Sequence, residues 1–301
     1  LTKRVLTASV GIPAAVFLIY AGGFVFAGTV MIVSSFALIE YYKIAEKKGA
    51  KPHKFIGVAA SLFFQASIYF ILTRGSFERL SFIDLMVFMI FALTVYALDM
   101  WMNKENAVIN TAVTISGTLY ISLPMSTLIG IREIHNFNWG NLADIFPDTA
   151  LNVRAVELFG SADNFWSAGL VLSIFITAWV SDSAAYFIGK KIGKNKLFPR
   201  VSPKKTWEGS FAGFIFGVTA FLAASELLSP GFPFVHSVII GVIISVIGQI
   251  GDLAESQLKR DSGVKDSSSI LPGHGGFLDR FDGIIFIAPS VFFYLIIITL
   301  F

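Results

Sequence analysis

Nine uninterrupted apolar runs of about membrane-crossing length dominate the chain, and no soluble fold can absorb that many. A helix that spans a bilayer needs about 20 mostly apolar residues. Runs that approach this length lie near 5–20, 24–39, 55–72, 83–98, 107–131, 165–188, 209–228, 238–253 and 283–301. Composition agrees. Of 301 residues 55% are hydrophobic and 14% charged, where a soluble domain has about 25% charged. The expected fold is all-α: a polytopic integral membrane bundle of about nine transmembrane helices. Disordered, coiled-coil, collagen-like and nucleic-acid-binding chains are excluded by the same composition. With no Cys in the sequence there is no disulfide framework, thiolate metal site or cysteine nucleophile.

The first run follows Lys3-Arg4 and precedes Ala21-Gly22-Gly23, the layout of a cleavable signal as well as of a first span. A second run begins at once, so a helical hairpin with a tight Gly-Gly connection is expected. With nine spans, nineteen of the 23 Lys and Arg residues fall on the side of the amino terminus. Only Arg74, Arg79, Arg132 and Arg154 fall on the other. The positive-inside rule then puts the amino terminus and the even-numbered connections in the cytoplasm. Three regions are expected: membrane helices over 1–131, an extracytoplasmic loop over 132–164 that carries no evident chemistry, and a catalytic membrane region over 165–301.

Two cytoplasmic stretches hold the polar chemistry. The first, residues 179–209, opens with Asp182 inside an apolar helix, where an ionisable side chain is a functional candidate or a packing partner. Seven basic residues follow. Among them Ser202, Lys204, Lys205 and Thr206, around Pro203, are expected to form a turn that offers N–H and ammonium groups to phosphate. Simple attraction of basic residues to anionic head groups is the plainer alternative.

The second, residues 251–283, interleaves Asp252, Glu255, Asp261, Asp266, Asp279 and Asp282 with Lys259, Arg260, Lys265 and Arg280. On a helix, Asp252, Glu255 or Ser256, and Lys259 share one face, and Asp279 and Asp282 point the same way at the start of the last helix. Hard carboxylate oxygens in this arrangement suit Mg²⁺ bridged to substrate phosphates. Gly275 and Gly276, after His274, let backbone N–H groups approach an anion. His53, His135 and His236 read as interfacial residues. Clustered carboxylates and basic groups where a helix meets water suggest phosphoryl or nucleotidyl transfer to a membrane-resident acceptor.

Ser256, Lys259, Arg260, Lys265, Asp266, Ser268, Pro272, His274, Gly275, Gly276, Asp279, Arg280 and Asp282 fill a pattern that resembles the signature of the phosphatidate cytidylyltransferases, or CDP-diacylglycerol synthases. The block "SDSAAYFIGKKIG…SPKKTWEG" is similar to a second stretch shared by that family. The resemblance implies Mg²⁺-dependent conversion of CTP and phosphatidate to CDP-diacylglycerol and pyrophosphate, by a homodimer in the inner membrane. It implies that Asp252, Asp279 and Asp282 hold metal and that Lys259, Arg260 and Lys265 bind phosphate. Asp266 belongs to the same catalytic set, and Asp182 orients a basic group or joins the metal shell. His274, Gly275, Gly276 and Arg280, with Ser202, Lys204, Lys205 and Thr206, would bind CTP or lipid phosphate. A CTP-dependent polyprenol kinase is a neighbouring reading. A CDP-alcohol phosphotransferase would need a DGxxAR run that "DRFDGIIF" does not continue. A secondary transporter would need paired broken helices in two halves.

Overall fold

The computed structural model describes residues 2–74, 77–102, 105–136, 162–271 and 275–300. Helices α1 (Thr2–Ala21), α2 (Gly23–Glu46), α3 (Lys54–Arg74) and α4 (Phe77–Trp101) come first. A fifth crossing is built from α5 (Ala107–Gly117), a π-turn (Thr118–Ser122) and α6 (Leu123–Arg132). Then follow α7 (Asn164–Ile192), a hairpin of β1 (Lys196–Phe198) and β2 (Ser202–Thr206), α8 (Trp207–Leu228), α9 (Phe234–Asp261) and α10 (Leu278–Leu300). Among the described residues eight crossings are long and apolar enough to span a membrane, and α1 contributes the apolar stretch Ser9–Ala21. Each of the nine expected runs falls on a helical stretch. Most of the expected outer loop, 137–161, lies outside the described residues.

Local chemistry explains the breaks. Gly22 and Gly23 both have positive φ (59° and 49°), a left-handed conformation that costs glycine little, and they part α1 from α2. Pro124 has no N–H to donate and its ring crowds the carbonyl one turn back; the π-turn that ends at Ser122 takes up that mismatch. Several polar side chains inside the bundle are paired. Gln65 joins Ser34 (2.8 Å) to Ser61 (2.9 Å), and Ser122 donates to Ser61 (2.7 Å). His53 Nε2 meets Asp99 at 2.9 Å, His135 Nδ1 meets Ser167 Oγ at 3.0 Å and His236 Nδ1 meets Tyr294 Oη at 2.8 Å. Burial holds the His135 imidazole below the usual histidine range. All three histidines are thus tied to protein partners.

The carboxyl-terminal half is organised around α7 and α8, which pack closely along a stripe of small residues, the membrane solution to helix contact. A Cβ on Gly169 would lie 2.5 Å from the Leu228 carbonyl carbon and 2.9 Å from Ser229 Oγ. Gly169→Ala should therefore force the two backbones apart and cost about 1–3 kcal/mol, read as a lower thermal unfolding midpoint of the purified protein. Helix α9 packs on α8 and α10, and α10 in turn packs against α6 and α2. Through that contact the amino-terminal helices reach the polar stretches.

Candidate active site

Helix α9 continues to Asp261, so Asp252, Glu255, Ser256 and Lys259 lie within two turns on one side. Lys259, 9% exposed, stands between Glu255 (2.5 Å) and Asp279 of the first turn of α10 (2.6 Å). Asp279 also accepts from the N–H groups of Gly276 (2.8 Å) and Ser267 (3.0 Å) and lies 2.9 Å from Ser267 Oγ. A carboxylate at a helix amino terminus is favoured by the helix dipole. Here it also holds the preceding loop, in which Gly275 has a φ of +81° and bridges back to Leu271 (2.9 Å). Pro272 and His274 lie outside the described residues.

A second, more accessible group lies where α7, α9, α10 and the hairpin come together. Lys205 Nζ is 2.6 Å from Asp252 Oδ2, and Ser256 Oγ donates to Asp252 Oδ1 (3.3 Å). Asp182, on α7 and exposed, lies within the fields of Asp252, Lys205 and Arg280. Asp282 accepts from the Gly283 N–H (2.7 Å) and feels Asp252, Asp182 and Lys259. Three carboxylates from three helices thus share one electrostatic neighbourhood, countered by Lys205, Arg280 and Lys259. The grouping offers both anionic and cationic side chains.

Several expectations change in detail. Residues 202–206 form a strand rather than a turn, paired antiparallel with β1 so that Lys196 faces Thr206 and Phe198 faces Ser202. The alternation of a strand explains why Lys205 turns inward to Asp252 while Lys204 is exposed. Thr206 is buried, and its Oγ1 caps α8 by accepting from Gly209 N (3.2 Å). Arg260 donates to the Val264 carbonyl (3.0 Å) and closes the end of α9. Lys265 and Asp266 are exposed on the turn beyond it, and among the described residues neither bonds to the cluster.

Sequence reasoning assigns the amino-terminal half no chemistry, and it misses one residue there. Glu40 of α2, 0% exposed, accepts from Ser268 Oγ (2.6 Å), Leu278 N (2.8 Å), Ser267 Oγ (2.9 Å) and Phe277 N (3.1 Å). Its only signal in the sequence is a lone carboxylate at the end of an apolar run. A Cβ on Gly276 would collide with this carboxylate and with Ser267 Oγ, which accounts for glycine there.

Asp252, Asp279 and Asp282 carry hard oxygen donors, the kind that Mg²⁺ takes. Among the described residues no three carboxylate or imidazole groups already converge at ligand distance. However, Mg²⁺ characteristically takes one or two protein carboxylates and fills its octahedron with water and substrate phosphate. Asp252 and Asp279 each pair with an ammonium at 2.6 Å.

Comparison with known proteins is consistent with this geometry. A sequence model of the cytidylyltransferase family matches residues 2–298. A Synechocystis sp. (strain PCC 6803) protein named phosphatidate cytidylyltransferase is 29% identical over 299 residues, 99% of this chain and 97% of that protein. Proteins of the same name from Bacillus subtilis (strain 168) and Staphylococcus aureus (strain COL) are 39% identical over 145 residues and 42% over 152. These two matches take in 48% of this chain and 51% and 58% of the relatives, so the chain aligns with only about half of their length.

Proposed function

This chain belongs to the cytidylyltransferase family, and on that premise we propose that it transfers CMP from CTP to phosphatidate, yielding CDP-diacylglycerol and pyrophosphate for phospholipid synthesis. The observation that carries the reading is the Lys205–Asp252 pair (2.6 Å) with Asp182, Asp282 and Arg280 in its electrostatic neighbourhood, which we read as one substrate cleft. It has anionic groups for a metal and cationic groups for phosphates, at the edge of a membrane bundle where a lipid head group can lie.

The transfer requires a phosphatidate phosphate oxygen to attack the α-phosphorus of CTP. One P–O bond forms while the bond from the α-phosphorus to the pyrophosphate oxygen breaks. The attacking phosphate is already largely ionised at neutral pH, so no strong general base is needed and His274 is not cast as one. The work of the protein is positioning and neutralisation of charge. Asp252, Asp279 and Asp282 would hold Mg²⁺, the first two by exchanging their ammonium partners for it. The bound ion would neutralise the triphosphate and the departing pyrophosphate. Lys205, Lys259 and Arg280 are then available to phosphate oxygens. Ser202, Lys204, Arg260, Lys265 and Asp266 line the approach, and the Gly275–Gly276 turn receives the nucleotide. Asp182 keeps Lys205 and Arg280 oriented.

We place the chain in the inner membrane as a multi-pass homodimer, with its amino terminus and this cleft on the cytoplasmic side. The bias of nineteen basic residues to four supports that orientation. The test is release of pyrophosphate in step with formation of a CDP-lipid by purified protein in phosphatidate vesicles with Mg²⁺. Omission of either substrate, or chelation of the metal, should abolish both products. Release of CDP with a lipid phosphate would favour a CTP-dependent lipid kinase, and ion-coupled flux without either product would favour a transporter.

A further inference from the structure

Glu40 lies 227 residues before Ser267 in the chain, yet it joins both ends of the loop that leads into α10. One oxygen faces Ser268 Oγ and Phe277 N, and the other faces Ser267 Oγ and Leu278 N. Its charge has no ammonium partner among these contacts. Four donors and the amino terminus of α10 compensate it instead. Ser267 Oγ stands 2.9 Å from both Glu40 Oε2 and Asp279 Oδ2, so a single hydroxyl proton links the two carboxylates. The loop is thus closed from below by Glu40 and from the side by Asp279. Any sideways shift of Ser267 or Gly276 carries with it the Asp279 carboxylate that both bond.

We propose that Glu40 is a positioning residue for the nucleotide half of the site: from α2 it ties Ser267 and Ser268 to Phe277 and Leu278 and so presents Asp279 and the glycine turn to CTP. The inference rests on the cytidylyltransferase reading. A neutral amide cannot replace the carboxylate, because a backbone N–H faces each oxygen. Whichever way Gln is turned, its NH₂ meets Phe277 N or Leu278 N.

The test uses Glu40→Gln in the full chain reconstituted in phosphatidate vesicles, with CTP and phosphatidate varied independently. We expect kcat/KM for CTP to fall about 10–100-fold, the loss usual when a group that orients a site is removed, while KM for phosphatidate is unchanged. Backbone amide exchange at Phe277 and Leu278 should accelerate. The double variant Ser267→Ala/Ser268→Ala should shift CTP kinetics in the same direction, and its effect should be less than additive with Glu40→Gln. Glu46→Gln, which removes a surface ion pair with Lys54, should change neither. Faster exchange with wild-type CTP kinetics would overturn the positioning role and leave the family reaction intact. So would a drop only in active fraction and thermal midpoint, with both KM values preserved. A wild-type protein that forms no CDP-lipid would remove the reaction and the proposal together.

Discussion

Asp252→Asn should lower kcat by about 10²–10³-fold or more, the range seen when one preorganised electrostatic contact to a transition state is lost, while the protein remains folded. Asp252 is the carboxylate that Lys205 holds at 2.6 Å, and both side chains are about one-third exposed, 27% for Lys205 and 35% for Asp252. An ion pair this accessible contributes at most about 1 kcal/mol to stability, so the unfolding midpoint should barely move. The amide keeps the shape and removes the charge that Mg²⁺ would require. Steady-state turnover with a parallel thermal melt separates the two effects. Activity within a few-fold of wild type would mean that the cleft is not where the reaction happens.

Lys259→Met should have the converse signature, with stability lost as well as turnover. Its ammonium separates Glu255, which is 0% exposed, from Asp279, which is 6% exposed. Removing one partner of a buried ionic group leaves the others uncompensated and costs about 3–5 kcal/mol. Apart from the ammonium, neither Glu255 oxygen has a hydrogen-bond partner among the described residues. Glu255→Gln placed on top of Lys259→Met should therefore recover part of the loss, a coupling measurable by a double-mutant cycle in chemical unfolding. If the two substitutions were simply additive, the triad would not be one electrostatic unit.

The contrast between these variants follows from how differently the parts of the site are written in the sequence. Asp252, Glu255 and Lys259 sit on one helical face, and Asp279 and Asp282 are three residues apart. Helical periodicity alone aligns such groups, so their association is legible in the spacing itself. The spans are equally legible because backbone groups in lipid must bond within their own helix, which leaves long apolar runs as an unmistakable trace. The π-turn before Pro124 does not show in the apolar pattern, although proline carries the reason for it. The hairpin at 196–206 reads as a turn because basic residues mask the short alternation of a strand. Glu40 escapes notice because its meaning depends on contacts more than 200 residues away in the chain, and neither periodicity nor spacing encodes such a distance. Thr206 carries a second meaning for a related reason. A hydroxyl among lysines suggests phosphate, but the same hydroxyl ahead of an apolar run is a helix cap.

The central claim, that this cleft joins CMP to a lipid phosphate, is tested most directly by the fate of two labels. Purified protein in phosphatidate vesicles with Mg²⁺ would be given CTP labelled either at the α-phosphorus or at the γ-phosphorus. The α label should move into a CDP-lipid and the γ label into free pyrophosphate, both lost in Asp252→Asn. Appearance of the γ label in the lipid, or of neither label outside CTP, would contradict the claim.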